Sequence, residues 1–196
     1  MKHRELLHCM VSSSLCIFPN TAYTVMQEKN IKENNLMLVE YTLNIAAEIE
    51  YAQKWAYSRN PAYYNFDNVG GDCTNFISQC LYAGGAVMNY TRDTGWYYIS
   101  ADNRAAAWTS VEYLHKFLVT NTAAGPFGEI IPMRKIQKGD IIQLGSEGKF
   151  YHSLLVTDIR EGIPYIAAHM NDAYNIPLTS YSYEQTRCIH VIGARK

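Results

Sequence analysis

Residues 71–85 read Gly71-Asp72-Cys73-Thr74-Asn75-Phe76-Ile77-Ser78-Gln79-Cys80-Leu81-Tyr82-Ala83-Gly84-Gly85. Phe76, Cys80 and Ala83 recur on one helical stripe, with Ile77 and Leu81 beside it. Asp72 suits the N-cap, and the Gly84-Gly85 pair is a stop signal. The stretch therefore predicts a buried helix that carries Cys73 in its first turn.

Upstream, Leu43, Ala46, Ala47, Ile49, Ala52 and Ala56 recur at helical spacing between Tyr41 and Ser58, and Asn60-Pro61 ends that run. Residues 62–71 are aromatic and then glycine-rich, a loop by composition. Val111 to Val119 predicts a second short helix. Beyond Gly125 the pattern changes to strands. Gly139-Asp140 turns into Ile141 to Leu144, and Gly145 and Gly148 mark a turn before Tyr151 to Thr157. Glu161-Gly162 turns the chain into Tyr165 to His169, and a last strand runs from Cys188 to Ile192. Helices first and an antiparallel sheet afterwards make an α+β domain.

The whole chain sets bounds on what this domain does. Its 196 residues suit one domain, and with 48% of them apolar a sizeable core is available. The expected division is a leader or degraded signal segment and linker over residues 1–35, then a single domain over residues 36–196. The leader is a poor secretory signal, since His8 interrupts its apolar run, and it is too short to span a bilayer. The net charge of −1 offers no basic face for nucleic acid. Sixteen tyrosines suit a groove for polar polymers, although packing explains most tyrosines equally well.

Five cysteines, an odd number, form no CxxC pair, so neither a zinc ribbon nor a thioredoxin-type site is expected. No HExxH-type helical pair is present either, and no metal or other cofactor is expected. What remains is the pattern of a thiol nucleophile with downstream histidines. A helix N-terminus favours the thiolate through its unpaired amides and dipole, and the same amides can hold an oxyanion. His152 opens an apolar strand, where a polar ring needs a partner. The next strand ends in His169, followed by Asn171, and either is placed to orient the second ring nitrogen of His152.

The stretch from Gly71 to Gly85 resembles the bacterial amidase domain of the papain-like cysteine hydrolase superfamily. Asn60 to Tyr64, Trp96-Tyr97-Tyr98, Ala107-Trp108-Thr109, His152 to Thr157 and His169 to Leu178 extend the likeness over about Tyr41 to Lys196. More distantly, the Asp-Cys helix start and Gly139-Asp140-Ile141-Ile142 are similar to the NlpC/P60 cell-wall peptidases. The resemblance implies a papain-like α+β fold with the nucleophile helix on a small antiparallel sheet. It carries the nucleophile onto Cys73, the general base onto His152 and the third member onto His169, with Asn171 as the alternative.

The activity so implied is cysteine-dependent hydrolysis of an amide or peptide bond, in peptidoglycan or a related wall peptide, through a thioester. An extracellular or wall location is implied by the resemblance alone. Two alternatives stand beside it: an acyltransferase using the same Cys-His site, and a catalytically inactive wall- or glycan-binding module on the same fold. The sequence leaves the oligomeric state open.

Overall fold

The computed structural model describes residues 38–196, so the leader and linker reading of residues 1–35 lies outside the described residues. Four helices precede most of the sheet: α1 (Ile45–Trp55), α2 (Cys73–Ala83), α3 (Ala106–Thr109) and α4 (Val111–Thr120). Seven strands follow the order β1 (Glu40–Tyr41), β2 (Gly125–Ile131), β3 (Ile141–Ser146), β4 (Lys149–Arg160), β5 (Ile163–Ala168), β6 (Ala173–Pro177) and β7 (Gln185–Arg195). All pairings are antiparallel, which makes the domain α+β as the sequence implies. Among the described residues, no helix is long and apolar enough to cross a membrane.

The path through the sheet is β1-β7-β3-β4-β5-β6, with β2 along the other side of β7. Strand β7 is central because Ile189 pairs with Ile130 on one side and Ile141 on the other. Strands β1, β2 and β6 have weak sequence signals. Two residues suffice for β1, β2 carries a proline and two glycines, and β6 is an edge strand ending in Pro177.

Helix α1 starts later than its apolar spacing suggests, because the Asn44 side chain accepts the Ala47 amide at 3.1 Å and sets the N-terminus there. Helix α2 spans the expected stretch, but Asp72 caps no helical amide. Nine consecutive residues of α2, Cys73 to Leu81, are buried. A helix enclosed on every side must satisfy its polar side chains internally, and α2 does so element by element. Thr74 Oγ1 lies 3.1 Å from Ser153 Oγ on β4. Ser78 Oγ accepts from Trp96 Nε1 at 3.0 Å and donates to the Trp108 carbonyl at 2.9 Å. Gln79 Oε1 accepts the Tyr51 hydroxyl from α1 at 2.6 Å.

The sheet has two buried faces. Ile141, Leu155, Ala167 and Ile189 face the helices and pack with Phe76, Ile77, Leu81, Trp96, Trp108 and Leu114. Ile142, Leu144, Leu154, Val156 and Ile166 face the other way, beneath Ile136, Leu178 and Tyr181 from the segments after β2 and β6.

Candidate active site

Cys73 is the first residue of α2 and only 4% exposed, yet it lines a groove of about 280 Å³ with Phe66, Arg104, Ser110, Phe150 and Tyr151. Its Sγ lies 3.8 Å from Thr74 Oγ1. The first-turn amides of a helix have no intrahelical acceptor, and here the first that does is Phe76 N–H, bonded to the Asp72 carbonyl at 2.9 Å. The expectation of a depressed thiol pKa is not met. Burial pushes the Cys73 thiol up, the Ser153 and Thr74 amides and the Thr74 hydroxyl oppose that only in part, and the neighbouring Asp72 adds to the rise. The resting sulfur is a thiol.

His152 stands at a break in β4. Leu144 pairs with His152 while Gly145 pairs with Phe150, so Tyr151 has no partner opposite and forms a bulge. From there the strand alternates. Ser153 turns toward α2, meeting Thr74 and Gln143 Nε2 at 3.3 Å. His152 shares the opposite face with Leu144 and Leu154, and its ring lies 5.8 Å from that of Tyr181. There it borders a cavity of about 440 Å³ together with Asn171, Ser180 and Tyr181. Its Nε2 is buried with no hydrogen-bond partner among the described residues. Burial alone lowers its pKa to about 4, so the resting ring is neutral at physiological pH.

Cys73 and His152 thus border two different cavities that share Tyr151, and no hydrogen bond joins sulfur to ring among the described residues. The structure places His152 one residue from the strand position that faces the sulfur, with its ring on the other side.

His169 also sits elsewhere than expected. Its Nδ1 lies 2.6 Å from Asp72 Oδ2 and its Nε2 2.9 Å from the Trp55 carbonyl, and its ring stacks on Phe76 at 3.9 Å. Both nitrogens are therefore engaged, and neither reaches toward His152. Of the two candidates for the third position, Asn171 is the one that borders the His152 cavity, held in left-handed backbone with its carbonyl accepting from the Tyr181 hydroxyl at 3.4 Å.

The residue that sequence reasoning undervalued is Asp72. Its Oδ1 accepts the Phe66 amide at 2.9 Å and Asn75 Nδ2 at 2.8 Å, and its Oδ2 faces His169 and, at 3.7 Å, Arg59 Nε. Arg59 in turn clasps Asp67 and Asp172 with paired contacts of 2.8–3.0 Å. Asn75 Oδ1 accepts from Trp108 Nε1 at 2.9 Å. One carboxylate therefore ties the loop before Cys73, helix α2 and the end of β5. An acid directly before an apolar helical stripe was the available signal, since a carboxylate buried there persists only when fully partnered.

Gly71 completes this turn. Its φ of +102° is left-handed, and a Cβ there would fall on Met170 Sδ. Only glycine holds that φ without strain.

Comparison with known proteins matches this frame to a family described as "Putative amidase domain", over residues 42–192. The chain belongs to that family. Its members' description implies amide-bond hydrolysis, and hence an amide substrate. Among the relatives is an uncharacterized protein of Bacillus subtilis (strain 168), YhbB, 32% identical over 143 residues. That alignment covers 70% of this chain and 44% of YhbB, so the chain spans less than half the length of this relative. No solved structure matches. The family match takes in Cys73, His152, His169 and Asn171 together.

Proposed function

We propose that the chain is a cysteine-dependent amide hydrolase on a papain-like frame, acting on peptidoglycan or a related wall peptide. The observation that carries the reading is the placement of Cys73, at the amide-bearing end of α2 and on the wall of an open groove. In this reading Sγ attacks the scissile carbonyl carbon while His152 takes the thiol proton. The first-turn amides of α2 hold the oxyanion, a kind of donor worth about 3 kcal/mol in the transition state. The C–N bond then breaks, the amine leaves with the proton from His152, and water resolves the thioester by the same route.

The mechanism requires the His152 ring to turn from the Tyr181 side to the sulfur side. Two features support such a turn: the bulge at Tyr151 and the unpartnered Nε2, which no hydrogen bond holds where it rests. His169 enters as a positioning residue that acts through Asp72 on the nucleophile helix. Asn171 is the group available to orient the His152 ring.

A second reading is favoured by the same burial. A thiol and a ring that rest apart, both uncharged, suit a catalytically inactive wall-binding module. Purified peptidoglycan digested with wild type, Cys73→Ala and His152→Ala, with fragments identified by mass, separates the two. New amine and carboxylate ends made by wild type and lost in both variants support the enzyme. Products undiminished in Cys73→Ala refute cysteine dependence, and tight binding without products supports the module. An added amine acceptor, if incorporated, identifies acyl transfer.

A further inference from the structure

We propose that Arg104 recognises a carboxylate on the substrate, beside the amide that Cys73 attacks. The proposal rests on the hydrolase reading above and names its substrate class, an amide carrying a carboxylate near the scissile bond.

Three charged side chains meet in and around the Cys73 groove. Glu112 is spent: its two oxygens accept from Arg187 Nη2 at 2.7 Å and Nη1 at 3.1 Å. Arg187 is held there, with its guanidinium 3.8 Å over the Phe150 ring and Nη1 2.6 Å from His115 Nδ1. That pair cancels. Arg104 does not share in it. Its Nε donates to Thr109 Oγ1 at 3.2 Å, Nη1 donates to the Ala101 carbonyl, and the guanidinium lies 4.4 Å over Phe66. Every one of these partners is uncharged. Among the described residues Arg104 makes no ion pair and its Nη2 makes no hydrogen bond, while it lines the groove beside Cys73.

An arginine always carries its charge and presents a planar fork suited to a carboxylate. Here the fork is pre-set by the aromatic face beneath it and two neutral acceptors behind it, so little rotamer freedom remains to lose on binding. With Glu112 paired to Arg187, Arg104 is the uncompensated charge on the groove wall, beside the apolar rings of Phe66 and Phe150, which weaken screening and strengthen attraction for an anion. A neutral substrate leaves that cation without a counter-charge. A purely structural arginine pinning the loop would need only the two bonds already made.

The test compares alkylation of Cys73 by iodoacetate, an anion, and iodoacetamide, its neutral isostere, with labelling read at the Cys73 peptide by mass. The rate ratio within each protein cancels any change in the intrinsic reactivity of the thiol. The expected result is a ratio about tenfold higher in wild type than in Arg104→Gln, as for a charged hydrogen bond of about 1.4 kcal/mol, with part of it restored in Arg104→Lys. Equal ratios in wild type and Arg104→Gln overturn the proposal.

A Cys73 that neither reagent labels refutes the nucleophile reading instead, and the anion site is then read without it. In Cys73→Ala protein, N-acetylglycine should shield Arg104 from phenylglyoxal while N-acetylglycinamide does not. Equal protection by both, or by neither, counts against a carboxylate site.

Discussion

Glu48 is fully buried in α1, and both of its carboxylate oxygens lack a hydrogen-bond partner among the described residues. It faces the end of α2. A Cβ on Gly84 would lie 2.5 Å from Glu48 Cγ, and Cys80 of α2 feels its charge. Burial first, and the charge of Asp140 second, raise its pKa from 4.5 to about 8. The folded chain therefore holds this proton more tightly than the unfolded chain does. Stability from this group is complete below pH 4.5, and it is lost as pH rises to about 8.

Each unit of pKa difference is worth about 1.4 kcal/mol, so the loss between pH 5 and pH 8 comes to about 3–4 kcal/mol. That is a large part of the 5–15 kcal/mol typical of a domain. Glu48→Gln keeps the shape and removes the titration. The expected result is similar stability for the two proteins at pH 5 and a variant more stable by about 3 kcal/mol at pH 8. Urea unfolding followed by tryptophan fluorescence reads this, because Trp96 and Trp108 are fully buried. A stability difference that stays constant from pH 5 to pH 8 would refute the reasoning.

Asp72→Ala strands the His169 ring, the Asn75 amide and the Phe66 N–H inside the protein, and should lower stability by about 3–5 kcal/mol in urea unfolding. Asp72→Asn should lose less, since one oxygen is kept and His169 can change tautomer. Gly71→Ala puts a side chain at a left-handed φ and displaces the flexible end of Met170, and should reduce the melting temperature by about 5 °C, more than Gly70→Ala, which shares the left-handed φ but meets no neighbour. Iodoacetamide labelling of Cys73 should rise steadily with pH above neutrality, because burial holds the thiol up. Labelling already maximal near pH 5 would instead reveal a thiolate–imidazolium pair.

The parts of the fold that could be read from the sequence were those where one apolar period dominated. Helix α2, the helix at Val111 and strands β3, β4, β7 and, past Pro164, β5 all lie where apolar residues recur. Strands β1, β2 and β6 and the four-residue α3 owe their form to pairing and packing partners far away in sequence, so no local pattern announced them. The place of Cys73 at the start of α2 was legible because the apolar stripe and the Gly84-Gly85 stop delimit that helix. The side of the sheet that His152 faces was not. A single bulge at Tyr151 shifts the register between strands, and nothing in Phe150-Tyr151-His152-Ser153 marks which residue is the extra one. The role of His169 was hidden for a similar reason, since its partners Trp55 and Asp72 lie 114 and 97 residues away.

Three buried ionisable groups rest uncharged near neutral pH: the Cys73 thiol, the His152 ring and the Glu48 carboxyl. Their linkage to folding has opposite signs. His152, lowered from 6.5 to about 4, contributes stability above pH 6.5 that is lost as pH falls toward 4. Glu48 loses stability as pH rises from 4.5 toward 8. Between pH 4.5 and 6.5 the two slopes oppose each other at about 1.4 kcal/mol per unit, so these groups leave the wild type nearly level there. Each single variant should uncover the other's slope: Glu48→Gln should gain stability as pH rises through that window, and His152→Phe should lose it. The same neutrality bears on chemistry. In the hydrolase proposed above, a buried thiol and a neutral imidazole would make no standing ion pair, so the proton would move only as sulfur attacks.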